Sequence, residues 1–251
     1  MLWRLYFKDM VEYVERFYRK TIKPSDLFSF PVKIKESDLM IYAQADLSEL
    51  TYSILDKERR NLEAYIRYNP QFRDSLIPIS VDDFAPPICK IMVESTKKAK
   101  VGPMAAVAGA VNDRLASELL FKTTDLIIEN GGDLLIHSLK ERIVAIYAGE
   151  DSPFRTHIGL LINPGKTYGV ATSSGQIGPS LSFGKADAVT IIARSSAMAD
   201  AWATSIGNLI NSKKDVEKVL KYCENIQEII GVVIVFQDVL GVRGDIQLVH
   251  L

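Results

Sequence analysis

Residues 126–136 read LIIENGGDLLI, an apolar run of strand character broken in its middle by Asn130, Gly131, Gly132 and Asp133. Leucine and isoleucine on both sides predict two strands, and a short Asn/Gly break between them is a strong hairpin signal, since the turn positions call for positive φ. Glycines also let a backbone approach a ligand closely, and an Asp beside them can bind a hydroxyl, an amide or a cation. Turn and site are both open at this stretch. The rest of the chain has to choose between them.

Outward from there, 251 residues with 47% hydrophobic content are enough to bury a substantial core, and we read them as a single domain. Thirty basic residues against thirty-one acidic leave a formal charge of −1, so no overall charge points to nucleic acid or an anionic membrane. The nearest basic patch, STKKAK at 95–100, reads as a solvated loop. Cys89 and Cys223 match no metal-ligand spacing and form no disulfide framework. The start alternates apolar and charged residues without a signal-peptide core, and the longest aliphatic run, 229–236, is too short to span a bilayer. A soluble cytoplasmic protein is expected. Apolar strand edges leave a homodimer open.

Patterning along the chain predicts strands at 12–22 and 30–44, then a helix from Asp46 or Ser48 to Pro70 carried by Leu50, Ile54, Leu62 and Ile66. The proline-rich stretch 69–88 reads as an ordered crossing loop anchored by Phe72, Leu76 and Phe84, with Cys89 in the same loop. A helix of small residues follows Pro103, then strands dominate 123–193. A second small-residue helix is capped by Ser195 or Ser196, a charged helix begins near 214, and 231–249 close the chain as a hairpin. Strands in consecutive runs separated by single helices favour an α+β fold with mostly antiparallel sheets.

Four stretches carry candidate chemistry. Glycine, alanine and hydroxyl residues gather at 101–110, 130–133 and 170–175, which describes either close backbone packing or a lined pocket. In ADAWAT, Asp200 and Thr204 stand four apart, so a helix presents a carboxylate and a hydroxyl on one face. Hard cations such as Mg²⁺ take oxygen ligands of this kind together with a substrate's phosphates. Asp200 also fits as a helix-start acid favoured by the macrodipole, with Thr204 bonding back to a carbonyl.

The ordered set GPMAAVAGAVND, NGGD, GVATSSG, AVTIIA and ADAWAT resembles the ApbE-like superfamily, whose best-known members are FAD:protein FMN transferases. KIKESDLMI and VGPMAAVAGA look more like its small cytosolic branch. The resemblance implies an ApbE-like, T-fold-like architecture and a site for a divalent cation, Mg²⁺, with FAD or a related phosphate-bearing nucleotide. On it, Asp200 and Thr204 match the side-chain metal ligands, and a carbonyl near Val107 the main-chain one. Asn130, Gly131, Gly132 and Asp133 match the Gly-Gly-Asp turn, while Thr172, Ser173 and Gly175 match an Ala-Thr-Ser-Gly strand end with one extra Ser. Turn and site then coincide.

The chain departs from the family pattern in two places. Where the flavin transferases carry a His-Ile-x-x-Pro stretch, this chain has SLSFGKADAVT with no histidine, and the family's lysine at the small-residue helix start is Ala108. A missing general base typically costs ~10²–10⁴ in rate. Ligand and metal binding are therefore expected rather than FMN transfer. Ser182 and Lys185, in SFGK, offer a grip on phosphate or carboxylate at the place of the missing histidine. His157 starts a strand, but His137 and His250 have similar settings, and a structural or exposed role is expected for each. The alternative function is a non-catalytic accessory or carrier protein, which the resemblance links to sulfur assimilation, with Cys89 handling sulfur.

Overall fold

The computed structural model describes residues 24–150, 152–154, 157–175 and 184–251. An eight-stranded sheet runs through them in the order β1-β2-β3-β4-β7-β8-β9-β10, with a three-stranded sheet β11-β6-β5 beside it. The strands of the large sheet are β1 (Phe28–Ile34), β2 (Ser37–Ala43), β3 (Leu126–Asn130), β4 (Asp133–His137), β7 (Thr167–Ser173), β8 (Ala188–Ala193), β9 (Gly231–Phe236) and β10 (Val239–Gly244). The small sheet holds β5 (Arg142–Ile146), β6 (Ile158–Ile162) and β11 (Gln247–His250). Every pairing between these strands is antiparallel. The α+β expectation holds.

Both faces of the large sheet are covered, which explains why its central strands are apolar throughout rather than alternating. Leu126, Ile128, Ile191 and Ile234 belong to the core under the helices. Their neighbours Ile127, Ile192, Val233 and Val235 belong to a second core, shared with Ile146, Ile158 and Leu160 of the small sheet. Among the described residues six helices accompany the strands: α1 (Ser48–Tyr68), α2 (Gln71–Asp74), α3 (Pro87–Ala99), α4 (Val107–Leu119), α5 (Ser196–Gly207) and α6 (Lys213–Cys223). A 3₁₀ turn, Pro103–Ala106, leads into α4.

The large sheet is built twice over. Two strands, helices and two more strands run from β1 to β4, and the same succession runs from β7 to β10, the two halves joining at the β4–β7 pairing. No sequence repeat announces this, because strand and helix spacing can recur without residue identity.

Several expectations change. The stretch 30–44 is not one strand but most of a hairpin, β1 and β2, turning at Lys35 (φ 51) and Glu36. A lysine in the left-handed region gives no glycine to mark the turn. The strand expected at 12–22 lies outside the described residues. Of the three expected loop anchors only Phe72 is buried, whereas Leu76 is 56% exposed and Phe84 92%. Cys89 and STKKAK lie not in loops but on α3, which starts with Pro87 in its first turn and buries Ile88, Cys89, Met92, Thr96 and Ala99. Proline is pre-organised for that position, so the double proline opens a helix there. The closing hairpin β9–β10 is followed by β11, which leaves for the small sheet.

Candidate functional site

The site lies where α4, α5 and the β3–β4 turn meet. Asn130 pairs with Asp133 across a turn whose two central residues, Gly131 and Gly132, have φ of 68° and 101°. A Cβ on either would meet nothing within 4 Å, so these glycines serve the backbone conformation and leave the turn open on its outside. The Gly132 N–H donates to Glu129 Oε1 at 2.8 Å and is thus already satisfied inside the chain. What the turn delivers is Asp133.

Above it, α4 and α5 cross with almost no side chain between them. A Cβ at Gly109 would stand 2.2 Å from the Ser196 carbonyl oxygen, and one at Gly169 on β7 would stand 2.4 Å from the Ser195 carbonyl oxygen. The small residues of both helices are therefore required by the approach of backbones. Asp200 on α5 uses the contact: its Oδ2 accepts from the Gly109 N–H at 3.1 Å, and the Ala108 N–H also donates to it. Asn130 Nδ2 donates to the Ala108 carbonyl at 3.2 Å, and Asn112 Nδ2 donates to the Asp133 carbonyl at 3.1 Å.

Asp133 and Asp200 meet side chain to side chain, close enough for each carboxyl to act on the ionisation of the other. The Thr172 backbone N–H donates to the Asp133 carboxyl as well. Burial, followed by the charge of Asp200, holds Asp133 well above the usual carboxylate range. Burial likewise pushes Asp200 up to about 7, against the pull of the α4 amides. Two carboxyls in one site do not both ionise readily, so the pair keeps a proton toward neutral pH.

Of the residues expected from sequence, the fold thus brings together Asn130, Asp133, Thr172 and Asp200, with Gly131 and Gly132 forming the turn. Thr204 lies one turn beyond Asp200 and is half-buried like it. Val107 opens α4, next to the amides that hold Asp200. Ser173 ends β7, and the Gly175 N–H bonds the Ala186 carbonyl at 2.9 Å. Lys185 is exposed, and its N–H bonds the Ile210 carbonyl past the far end of α5. Ser182 lies outside the described residues. Asp113 escaped the sequence reading: from α4 it accepts from Ser195 Oγ at 2.6 Å, Ser196 N at 2.9 Å and Ala197 N at 3.0 Å. The missed signal was the recurrence of Asp four residues after Gly109 and again after Ser196.

None of the chain's three histidines joins the pair. His157 and His250 stack on each other with ring centres 5.8 Å apart at the small sheet. His137 shares a 2.8 Å hydrogen bond with Thr167 at the end of β4 remote from Asp133. Cys89 is fully buried on α3, and burial, then the charge of Glu58, pushes its thiol up to about 12. Sulfur chemistry needs a thiolate in reach of a partner, and Cys89 offers neither. Among the described residues no three His, Cys, Asp or Glu side chains gather closely enough to hold a metal by themselves, so a cation here would also draw on hydroxyl, carbonyl or ligand oxygens. No helix among them is long and apolar enough to cross a membrane.

Comparison with known proteins agrees with this architecture. A UPF0280 protein of Methanococcus vannielii is 41% identical over 228 residues, covering 88% of this chain and 92% of its own. Another from Methanocaldococcus jannaschii is 38% identical over 226 residues, covering 87% and 91%. Among solved structures, the flavinyl transferase ApbE of Pseudomonas stutzeri superposes with a TM-score of 0.59 at 12% identity, over 86% of this chain and 94% of that one. The flavin transferase ApbE of Vibrio cholerae gives 0.52 at 14%, over 88% and 97%. At such identities the likeness concerns the fold. The family model described as "AbpE bacteria" matches residues 19–240, so the chain belongs to that family, within the ApbE-like superfamily and alongside the UPF0280 proteins.

Proposed function

We propose that this chain binds a divalent cation, Mg²⁺, together with a phosphate-bearing ligand of the flavin or adenine nucleotide class. The observation that carries the proposal is the meeting of Asp133 and Asp200, two half-buried carboxyls from separate segments that are both held above the usual carboxylate range. Such a pair is costly to build for stability alone, because each charge opposes the other. A divalent cation relieves both charges, and the oxygen donor set fits a hard ion. Asp200 and Thr204 would hold it, with Asp133 beside them and the Val107 carbonyl as the main-chain candidate. The cation would supply charge neutralisation for a bound pyrophosphate.

The chain's own residues do the rest. A cation would favour the ionised form of both carboxyls, and the α4 amides of Ala108 and Gly109 keep Asp200 aimed at the site. The open outer side of the Gly131–Gly132 turn leaves room for a ligand, and Ser173 at the end of β7 supplies a hydroxyl contact, while Thr172 is held by Asp133 and by Thr190 Oγ1. Transfer of FMN to a protein threonine is not part of this reading, since no histidine stands near the pair and Ala108 replaces a lysine.

Isothermal titration with FAD, FMN, ADP and ATP, each with and without Mg²⁺, tests the proposal. One of them should bind in a Mg²⁺-dependent manner, and Asp200→Asn should weaken that binding at least about tenfold, the scale of one lost charged contact. Binding indifferent to Mg²⁺ and unchanged in the variant would remove Asp200 from the site.

A further inference from the structure

We infer that α4 and α5 form a reciprocal clamp in which each helix caps the other's first turn with an aspartate, and that Asp113 is the positioning residue for Asp200. The inference rests on the binding site proposed above and says what holds it in place. Asp200 of α5 accepts from the amides of Ala108 and Gly109 in the first turn of α4. Asp113 of α4 accepts from the amides of Ser196 and Ala197 in the first turn of α5, and also from the Ser195 hydroxyl. Each aspartate stands four residues after an amide that the other aspartate holds, Gly109 before Asp113 and Ser196 before Asp200.

Helix starts expose unsatisfied N–H groups and a partial positive charge, so a carboxylate from a neighbouring helix satisfies both. Two such contacts in opposite directions fix the helices differently from one. The backbone approach at Gly109 sets their separation, since a Cβ there would stand 2.2 Å from the Ser196 carbonyl oxygen. Sliding of one helix along the other is left free by that contact. The two carboxylates oppose it, together with Asn112 Nδ2, which donates to Ser196 Oγ at 3.2 Å, and Ser196 Oγ, which donates to the Leu134 carbonyl at 3.2 Å.

The partners then diverge. Asp200 also meets a second carboxyl, Asp133, whereas the other bonded side chain of Asp113 is the hydroxyl of Ser195, itself the cap that accepts from Met198 N. One arm of the clamp faces the site and the other only holds. A site for a cation needs its oxygens placed within about 0.5 Å, which is finer than a sliding helix allows. Asp113 acts on the site through α5.

The experiment compares the native chain with Asp113→Asn, which keeps the shape and one acceptor oxygen, and with Ser195→Ala, which keeps the carboxylate and removes one donor. Two quantities are read well below the unfolding temperature: affinity for Mg²⁺ alone by isothermal titration, and the hydrogen-exchange rate of the Gly109 amide, which Asp113 does not touch. Asp113→Asn should weaken Mg²⁺ at least about tenfold and speed Gly109 exchange by a similar factor, with Ser195→Ala between it and the native chain. Loss of protection confined to Ser196 and Ala197, with Gly109 and Mg²⁺ affinity unchanged, would reduce Asp113 to a local cap and overturn the inference. A native chain that ignores Mg²⁺ while Gly109 still loses protection in Asp113→Asn would refute the cation reading and leave the clamp standing.

Discussion

At the scale of single residues, the half-buried carboxyl pair makes the chemistry visible through pH. Asp133 and Asp200 are both held above the usual range, so between about pH 4 and 7 the folded protein binds more protons than the unfolded chain. Stability of the cation-free protein should therefore be greatest at the acid end of that window and fall as pH rises toward neutrality. Asp26 works with the opposite sign, because its hydrogen bonds to Arg142 and then Lys140 hold it far below the usual range. Its contribution is lost only as pH falls below the ordinary carboxylate value, so the two windows do not overlap. Thermal unfolding in EDTA should show a higher midpoint at pH 5 than at pH 7.5. Asp200→Asn should flatten that slope and raise the midpoint at pH 7.5 by a few degrees, while losing any stabilisation by Mg²⁺. A midpoint that rises with pH across this window would contradict the raised ionisation of the two carboxyls.

The glycines divide by mechanism at the same scale. Gly131→Ala meets open space but a φ of 68°, and should cost about 1 kcal/mol, the strain of a left-handed alanine. Gly109→Ala forces a Cβ against backbone at 2.2 Å and should cost about 3 kcal/mol or more, because two helices must separate. Urea unfolding distinguishes them, and equal costs would mean that the α4–α5 crossing can relax.

At the scale of elements, the connection between α1 and α3 separates real anchors from apparent ones. Phe72 on α2 is fully buried and packs edge-on against Tyr65 with ring centres 5.3 Å apart. Phe72→Ala should cost about 3–5 kcal/mol in denaturant unfolding. Phe84, at 92% exposed, should change stability by less than about 0.5 kcal/mol when made alanine. Both are phenylalanines among prolines and acids, and composition alone does not tell them apart. The strands of 123–193 were legible because long apolar runs bounded by turn residues leave few alternatives. The helix α3 was hidden by its opening Pro86-Pro87, although Ile88, Met92 and Thr96 keep helical spacing behind it. The β1–β2 turn escaped notice because Lys35 adopts a positive φ without being glycine.

At the scale of the whole molecule, both thiols report on global rather than local opening. Cys89 and Cys223 are buried under the helices, and burial pushes each up to about 12. A thiol reagent such as DTNB should modify neither in the native state and both in denaturant, with labelling that tracks the unfolding transition. Rapid native labelling of Cys89 would reopen a role for it in sulfur chemistry. The doubled strand–helix–strand plan also places the site, because Asp133 comes from the first half and Asp200 from the second, meeting beside the β4–β7 seam.

By itself the sequence determined most of the elements around the site, since turn glycines, strand runs and helix spacing are local properties, and it singled out Asp133, Asp200 and Thr204 as candidates. Only the tertiary structure decided which segments meet. That Asp133 and Asp200 meet, that Asp113 accepts from the first turn of α5, that the Lys185 N–H bonds the Ile210 carbonyl and that Cys89 is buried all depend on contacts between residues distant in the chain. Those contacts arise from how two helices of small residues press their backbones together over one sheet.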